Sequence, residues 1–494
     1  MLDNFFKLSE NGTDFKTEIA AGITTFLAMA YILGVNPVVL SDGGMPATGV
    51  FFATAVASGV ACLIMGLVAR YPIGLAPGMG LNALFTYTII LSMGNTWETA
   101  LAAVFLSSII FFIITISGLR EAILNAIPLD LKYGIGAAIG FFLAFLGLKG
   151  PGIIVSDPST IVSMGSLMTP PALLALIGII ITLVLYVRKI PAAVFLGLIV
   201  TAIIGVIFTA LGFGAGDILM PAFPKHIVSA NFDMSLFCGF IKGFGQLFSN
   251  IPNLIMILFS LIFVTFFDTT GTLMSLGKQC GFMDDKGQAV GIEKAFLADA
   301  IGGIVGAVVG TSTVTAFVES AAGIGNGGRT GLTAIVIGLL FLISIFFAPL
   351  ILGLFTSPVT CAALVMVGIL MIEQLKDVQW TSLTVAASVF MTIIMMILTY
   401  SISLGIAWGF VIYAVTNIAS GKAKDLGWGI WLMVAIFIIY LFFGLYTHIC
   451  GFIFFLFFLK SVIVIFFYLF KIIFALICDA VESVSFVFFI EAFH

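Results

Sequence analysis

Runs of predominantly apolar residues, each 18 or longer, follow one another from residue 17 to the end of the chain. Each is long enough to cross ~30 Å of hydrocarbon as a helix. Lipid offers a backbone amide no partner, so such a chain must satisfy its N–H and C=O groups within helices or a closed barrel. The runs lack the two-residue alternation of barrel strands, which leaves helices. Composition agrees: 62% of residues are hydrophobic and 9% charged, against about 25% charged in a soluble domain. So few charges cannot clothe a water-facing surface.

The expected architecture is therefore an all-α polytopic membrane protein of about 14 transmembrane segments. They read as 17–40, 47–70, 75–92, 97–117, 129–149, 171–188, 190–212, 250–275, 292–310, 312–325, 330–354, 357–373, 379–398 and 400–419. Sorting the basic residues by alternate loops puts 14 on one side, among them Lys7, Arg70, Arg188, Lys278, Arg329 and Lys422, and only 3 on the other, Lys149, Lys225 and Lys242. Basic loops stay in the cytoplasm, so the N-terminus (residues 1–16) and residue 420 are both expected there, in a multi-pass protein of the cell membrane. Met1 to Lys16 carries Asp3, Glu10 and Asp14 and lacks the basic start and short apolar core of a cleaved signal. Two longer outer loops follow, 150–170 and 213–249, the second with an interfacial amphipathic helix expected after Asn231. Residues 428–445 read equally as lying on the membrane or crossing it.

Several chemistries find no support. The six cysteines, Cys62, Cys238, Cys280, Cys361, Cys450 and Cys478, show no metal-ligand spacing and read as small core residues, so neither metal nor cofactor is expected. The three histidines, His226, His448 and His494, fall in a loop and in the tail. No nucleophile–base constellation can be assembled, which argues against an intramembrane enzyme. A net charge of −4 gives no footprint for nucleic acid. Gly323–Gly328 looks like a nucleotide loop only superficially, because no strand–helix context surrounds it.

Two spans are broken. The third begins Leu75-Ala76-Pro77-Gly78-Met79-Gly80-Leu81-Asn82, where proline and glycines prevent regular helix. The tenth begins Gly310-Thr311-Ser312-Thr313-Val314-Thr315-Ala316-Phe317-Val318-Glu319, whose β-branched threonines read as a short extended piece. Asn82 lies about 65 residues into the first half and Glu319 about 69 into the second, each half holding seven spans. An odd number of spans per half inverts one half relative to the other. This is the pattern of a 7+7 inverted repeat with a site near the midplane, where irregular backbone lines a cavity. One such interruption would read as a mere kink; two in register do not.

Two acids lie at membrane depth: Asp268, in Phe266-Phe267-Asp268-Thr269-Thr270-Gly271-Thr272, and Glu319. Carboxyl groups there are costly unless satisfied, and no mid-span Lys or Arg stands ready to pair them. They favour a neutral or protonated partner bearing N–H donors and disfavour an anion. Asp299 reads as a helix-packing or interfacial residue.

The residues Leu75–Ala83, Phe267–Thr272 and Val318–Ile324, with Gly327-Gly328-Arg329-Thr330-Gly331, resemble the AzgA-type purine permeases of the nucleobase–ascorbate / xanthine–uracil permease superfamily, over about residues 1–445. The resemblance implies two inverted repeats divided between a core domain (17–117 and 250–354) and a gate domain (118–249 and 355–445). It also implies uptake of hypoxanthine, guanine and, as a further candidate, adenine by proton symport, with lipid as the surroundings and a homodimer left open. Asn82, Asp268 and Glu319 match the residues that serve binding or transport in such permeases. Gly78, Gly80 and Phe317 are expected to offer backbone amides, Phe317 or Phe266 to stack on the base, and Asp268 and Glu319 to share proton coupling. Ala316-Phe317 stands where Thr-Tyr is common, which removes a hydroxyl close to the site. The rivals are a carrier of the same fold for uracil, xanthine or an inorganic anion, and a channel. The tail 446–494, with 13 phenylalanines in 49 residues, departs from the family, reads as a shifted or extended reading frame, and receives no function.

Overall fold

The computed structural model describes residues 2–117, 128–190, 192–213, 218–230, 232–282, 291–423 and 426–443. The Phe-rich tail from residue 446 lies outside the described residues. The chain divides into two units, residues 1–434 and 435–494. Of the second, the described part is the end of one helix.

The first half opens with a short α1 (Leu2–Phe6), then α2 (Phe15–Met29) and α3 (Ile32–Ser41), which together make span one. Next come α4 (Ala47–Ile64), strand β1 (Leu75–Pro77), α5 (Met79–Ala83), α6 (Trp97–Ile116) and α7 (Leu129–Lys149). A hairpin of β2 (Ile154–Asp157) and β3 (Ile161–Met164) precedes α8 (Pro170–Val187) and α9 (Ala193–Ala210). The second half runs α10 (Phe240–Ser249), α11 (Ile251–Cys280), α12 (Ile292–Val309), β4 (Val314–Ala316), α13 (Ser320–Gly325), α14 (Gly331–Ser344), α15 (Ala348–Leu354), α16 (Ser357–Ile372), α17 (Leu383–Leu398), α18 (Ile402–Ala419) and α19 (Trp428–Phe443). α5 continues as wider π-type turns to Ser92.

By length and apolar character, ten of the described helical stretches can cross a membrane, fewer than the fourteen segments expected. The other four are helical but fall short for identifiable reasons. Residues 79–92 and α13 are shortened by the breaks before them, α17 has 16 residues, and α12 carries Glu293, Lys294 and Asp299. Residues 428–443 are helical, and the amphipathic helix expected after Asn231 is α10.

Helix ends follow local chemistry. Asp14 caps α2 by accepting from the amides of Lys16 and Thr17, Thr96 caps α6, and Gly281 and Gly310 close α11 and α12 in the left-handed region. α14 has an unusual cap from another span. Glu18, fully buried in α2, accepts from the amides of Arg329 (2.8 Å) and Thr330 (3.1 Å) with one oxygen, and from Thr333 N (3.1 Å) and Thr333 Oγ1 (2.6 Å) with the other. A buried carboxylate at a helix N-terminus is thereby satisfied by orphan amides and a hydroxyl.

The helices sort into two packed groups. In one, α14 lies against α2 and α4, and α12 against α4 and α6; in the other, α7 lies against α16 and α17, and α8 against α9 and α16. Each group is drawn together by reciprocal glycines. A Cβ on Gly331 would stand 2.0 Å from the Gly66 carbonyl oxygen, and one on Gly66 would stand 2.5 Å from that of Gly331. In the second group Gly140 and Gly368 face each other in the same way, at 2.8 and 2.6 Å. Small residues let backbones approach where lipid supplies no hydrophobic drive. The two groups touch through Tyr87 and Tyr400, with ring centroids 5.4 Å apart, and through the Ser403–Ser260 hydroxyl bond at 2.7 Å. An outer strap is tied down by Asp233, whose carboxyl is held below its ordinary range by hydrogen bonds from the Thr48 hydroxyl and from Ser235.

Candidate functional site

The two interruptions meet. β1 and β4 pair antiparallel, with Leu75 opposite Ala316, Ala76 opposite Thr315 and Pro77 opposite Val314. All six residues are buried. The amide of Gly78 donates to Thr313 O (3.1 Å) and that of Phe317 to Gly74 O (3.0 Å), which lengthens the pairing at both ends. The pair answers much of the problem posed by non-helical backbone at membrane depth: each broken span satisfies inward-facing N–H and C=O groups of the other, while side chains such as Cys62 Sγ, at Leu75 N and O, take those that face outward. A proline fits this two-stranded ribbon because it has no amide to leave unpaired.

This geometry corrects one expectation. The amides of Gly78 and Phe317 are already engaged in the ribbon and are not spare donors for a ligand. Helix geometry instead leaves the amides of Met79, Gly80 and Leu81, the first three of α5, without a partner inside that helix. Gly78 and Gly80 serve close approach. A Cβ on Gly78 would collide with Thr315 Cγ2 at 2.5 Å and lie 3.5 Å from Asp268 Oδ2, and one on Gly80 would meet Ile139 of α7 at 2.9 Å. Asp268, on α11, thus stands against the break in span three.

Asn82 is fully buried and faces the ribbon. It accepts a hydrogen bond from Ser312 Oγ, and its amide nitrogen lies 3.4 Å from Pro77 O. It therefore ties the start of span ten to the turn after β1. Phe266 packs with Phe111, Phe112 and Ala300, toward α6 and α12, while Phe317 stands beside Tyr31.

Glu319 occupies the N-cap position of α13, one residue before the helix resumes. Its Oε1 accepts from the hydroxyl of Tyr31 at 2.7 Å. Tyr31 sits at the junction of α2 and α3, is 1% exposed, and its ring lies 6.4 Å from that of Phe317 at a 43° tilt. The site so far is built from spans one, three, eight and ten. The sequence reading overlooked Tyr31; its one signal was a hydroxyl in the middle of an apolar span.

Asp299 also belongs to the break, and not only to helix packing. Its Oδ1 accepts from the amide of Ala316 (2.9 Å) in β4, and its Oδ2 from Thr269 Oγ1 (2.8 Å), which is 3.0 Å from Thr315 Oγ1. Since Thr269 donates to the carboxyl, Thr315 donates to Thr269. The acid thus fastens β4 to α11 and α12. Among the described residues, no Lys or Arg forms an ion pair with Asp268 or Glu319; the ion pairs there are Lys7–Glu10 and Lys376–Glu373, both exposed. Nor do the described residues form a cluster able to hold a metal. The arrangement offers carboxyl oxygens, helix-start amides and an aromatic face, and no cation.

Comparison with known proteins agrees with this geometry. The Xan_ur_permease family, described as a permease family, matches residues 16–408. The chain is 43% identical over 461 residues to the guanine/hypoxanthine permease PbuG of Bacillus subtilis (strain 168), covering 90% of this chain and 100% of that one. It is 39% identical to the adenine permease AdeP of Escherichia coli (strain K12), covering 89% and 95%. Among solved structures, the transmembrane domain of the cyanobacterium bicarbonate transporter BicA shares the fold with a TM-score of 0.60 at 16% identity, over 78% of this chain and 96% of that one. SLC26A9 does so at 0.58 and 12%, over 85% and 68%.

Proposed function

Because the chain belongs to this permease family, matched from residue 16 to 408, we propose that it is a secondary active transporter importing purine nucleobases by proton symport. Hypoxanthine and guanine are the expected cargo, with adenine a further substrate, in line with the relatives' names. The observation that carries the reading is Glu319 and Asp268 beside the paired breaks with no cation among the described residues to pair them. An inorganic anion would meet like charge there. A neutral, planar base bearing N–H donors meets acceptors.

In this reading Glu319 accepts N–H bonds from the purine edge. Amides at the start of α5, near Gly80, donate to its carbonyl or ring nitrogens, and Phe317 stacks on its face. Asp268 carries the coupling proton. Asn82 acts by holding the two breaks in register. The first helical group, with the strand pair, is the core domain, and α7–α9 with α16–α18 form the gate domain against which it moves. The N-terminus is cytoplasmic. The protein acts in the cell membrane as a carrier and not as an enzyme.

The test is proton-dependent uptake of labelled hypoxanthine by cells producing wild type, Glu319→Gln or Asp268→Asn, with guanine, adenine, xanthine and uracil as competitors. Glu319→Gln is expected to lose uptake at low substrate, and Asp268→Asn to lose the dependence on the proton gradient. Wild-type transport by both variants would refute the site.

A further inference from the structure

The Tyr31–Glu319 bond carries a consequence for selectivity, and it rests on the transport reading above. A carboxylate that recognises a purine edge has two oxygens to offer. Here one already accepts a bond: the Tyr31 hydroxyl donates to Glu319 Oε1 at 2.7 Å, from a side chain that is itself 1% exposed, which leaves that oxygen one lone pair and makes it the weaker acceptor of the two. A phenol oxygen at that distance from a carboxylate is a charge-assisted hydrogen bond and fixes the plane of the acid. Tyr31 is held in turn. It sits at the junction between α2 and α3, and its ring lies beside Phe317 of the broken tenth span. Phe317 carries no hydroxyl of its own, so the one that reaches Glu319 comes from span one.

We infer that Tyr31 is a positioning residue that sets the selectivity of this site between bases presenting one N–H donor on an edge and bases presenting two adjacent ones. Hypoxanthine offers a single ring N–H on its pyrimidine edge, and Glu319 Oε2 suffices for it. Guanine offers a ring N–H and an exocyclic amine side by side, a bidentate match that needs both oxygens. Because Oε1 already accepts from Tyr31, the second guanine donor meets the weaker of the two oxygens. The hydroxyl therefore levels the two substrates, holding guanine below the affinity its extra donor would give.

The experiment is the KM of labelled hypoxanthine and of labelled guanine, measured side by side in cells producing wild type, Tyr31→Phe and the double variant Tyr31→Phe/Phe317→Tyr. Removing the hydroxyl makes Oε1 a stronger acceptor, a gain that guanine's second donor alone can use. The KM ratio of hypoxanthine to guanine should rise about tenfold in Tyr31→Phe, the lower end of what a hydrogen bond to a charged group contributes. The double variant returns a hydroxyl from the adjacent ring and should restore the wild-type ratio. Equal changes in both KM values, or a fall in kcat alone, would assign Tyr31 a packing role and overturn the inference. So would a double variant that keeps the ratio of Tyr31→Phe. Wild-type protein that carries neither base would instead refute the transport reading, and is read from the same assay.

Discussion

A carboxyl group inside a membrane must be accounted for atom by atom. Asp299 shows what that accounting yields: its two oxygens hold the amide of Ala316 and the hydroxyl of Thr269, joining β4 to α11 and α12. Asp299→Ala should leave the Ala316 amide buried without this acceptor, at a cost of about 1–3 kcal/mol. Lower thermal stability in detergent and loss of uptake are expected, with Asp299→Asn intermediate because one acceptor survives. A melting curve together with an uptake assay checks both. Asn82, Asp268 and Glu319 were legible in the sequence because a polar group in an apolar run stands out against its cost in lipid. Tyr31 was not. Tyrosine is unremarkable near membranes, and its partner is 288 residues away in the chain. For Asp299 the packing role was legible, but the strand it fastens was not, since Ala316 lies 17 residues on and meets it only across the break.

Elements show the same division. The two breaks could be located from Pro77, Gly78 and Gly80 and from the threonines before Phe317, since local residue types decide where helix fails. Their register could not, because Leu75 finds Ala316 only in three dimensions. The amides expected to bind a ligand were spent on that register, and so the expectation failed at Gly78 and Phe317 while α5 kept its own. Glycine contacts between elements were half legible. Gly302, Gly306 and Gly310 stand four apart, a spacing that puts them on one helix face, and a Cβ placed on Gly306 would lie 2.8 Å from Ser312 O. The reciprocal pair of Gly66 and Gly331 had no local sign. Gly331→Ala would drive a methyl into the Gly66 carbonyl at 2.0 Å and the Arg70 Cα at 2.8 Å, both backbone atoms that cannot swing aside. Overpacking of this kind costs about 1–3 kcal/mol, so a clear fall in melting temperature is expected. Gly245→Ala, with nothing within 4 Å, is the control and should melt like wild type.

For the whole molecule, the basic residues predict sidedness directly. A cysteine at Ser159, at the tip of the β2–β3 hairpin, should react with an impermeant maleimide in intact cells. One at Lys422 should react only after permeabilisation. Labelling in the opposite order would invert the proposed topology. Cys238, which is half-buried, should be replaced first to clear the background. The fold itself is shared with bicarbonate and SLC26 transporters at 16% identity or less. At that identity the likeness is one of fold alone.

The strand pair also imposes an order on how the protein can be made. Leu75–Pro77 is synthesised long before Val314–Ala316, and in the interval the bonds it makes across the ribbon are missing, while Leu75 has only the Cys62 thiol. Until the tenth segment is delivered, the ribbon-facing side of the third is an open backbone edge. The two halves therefore complete each other's backbone, and a chain that stops before residue 314 keeps that edge unpaired by its partner strand.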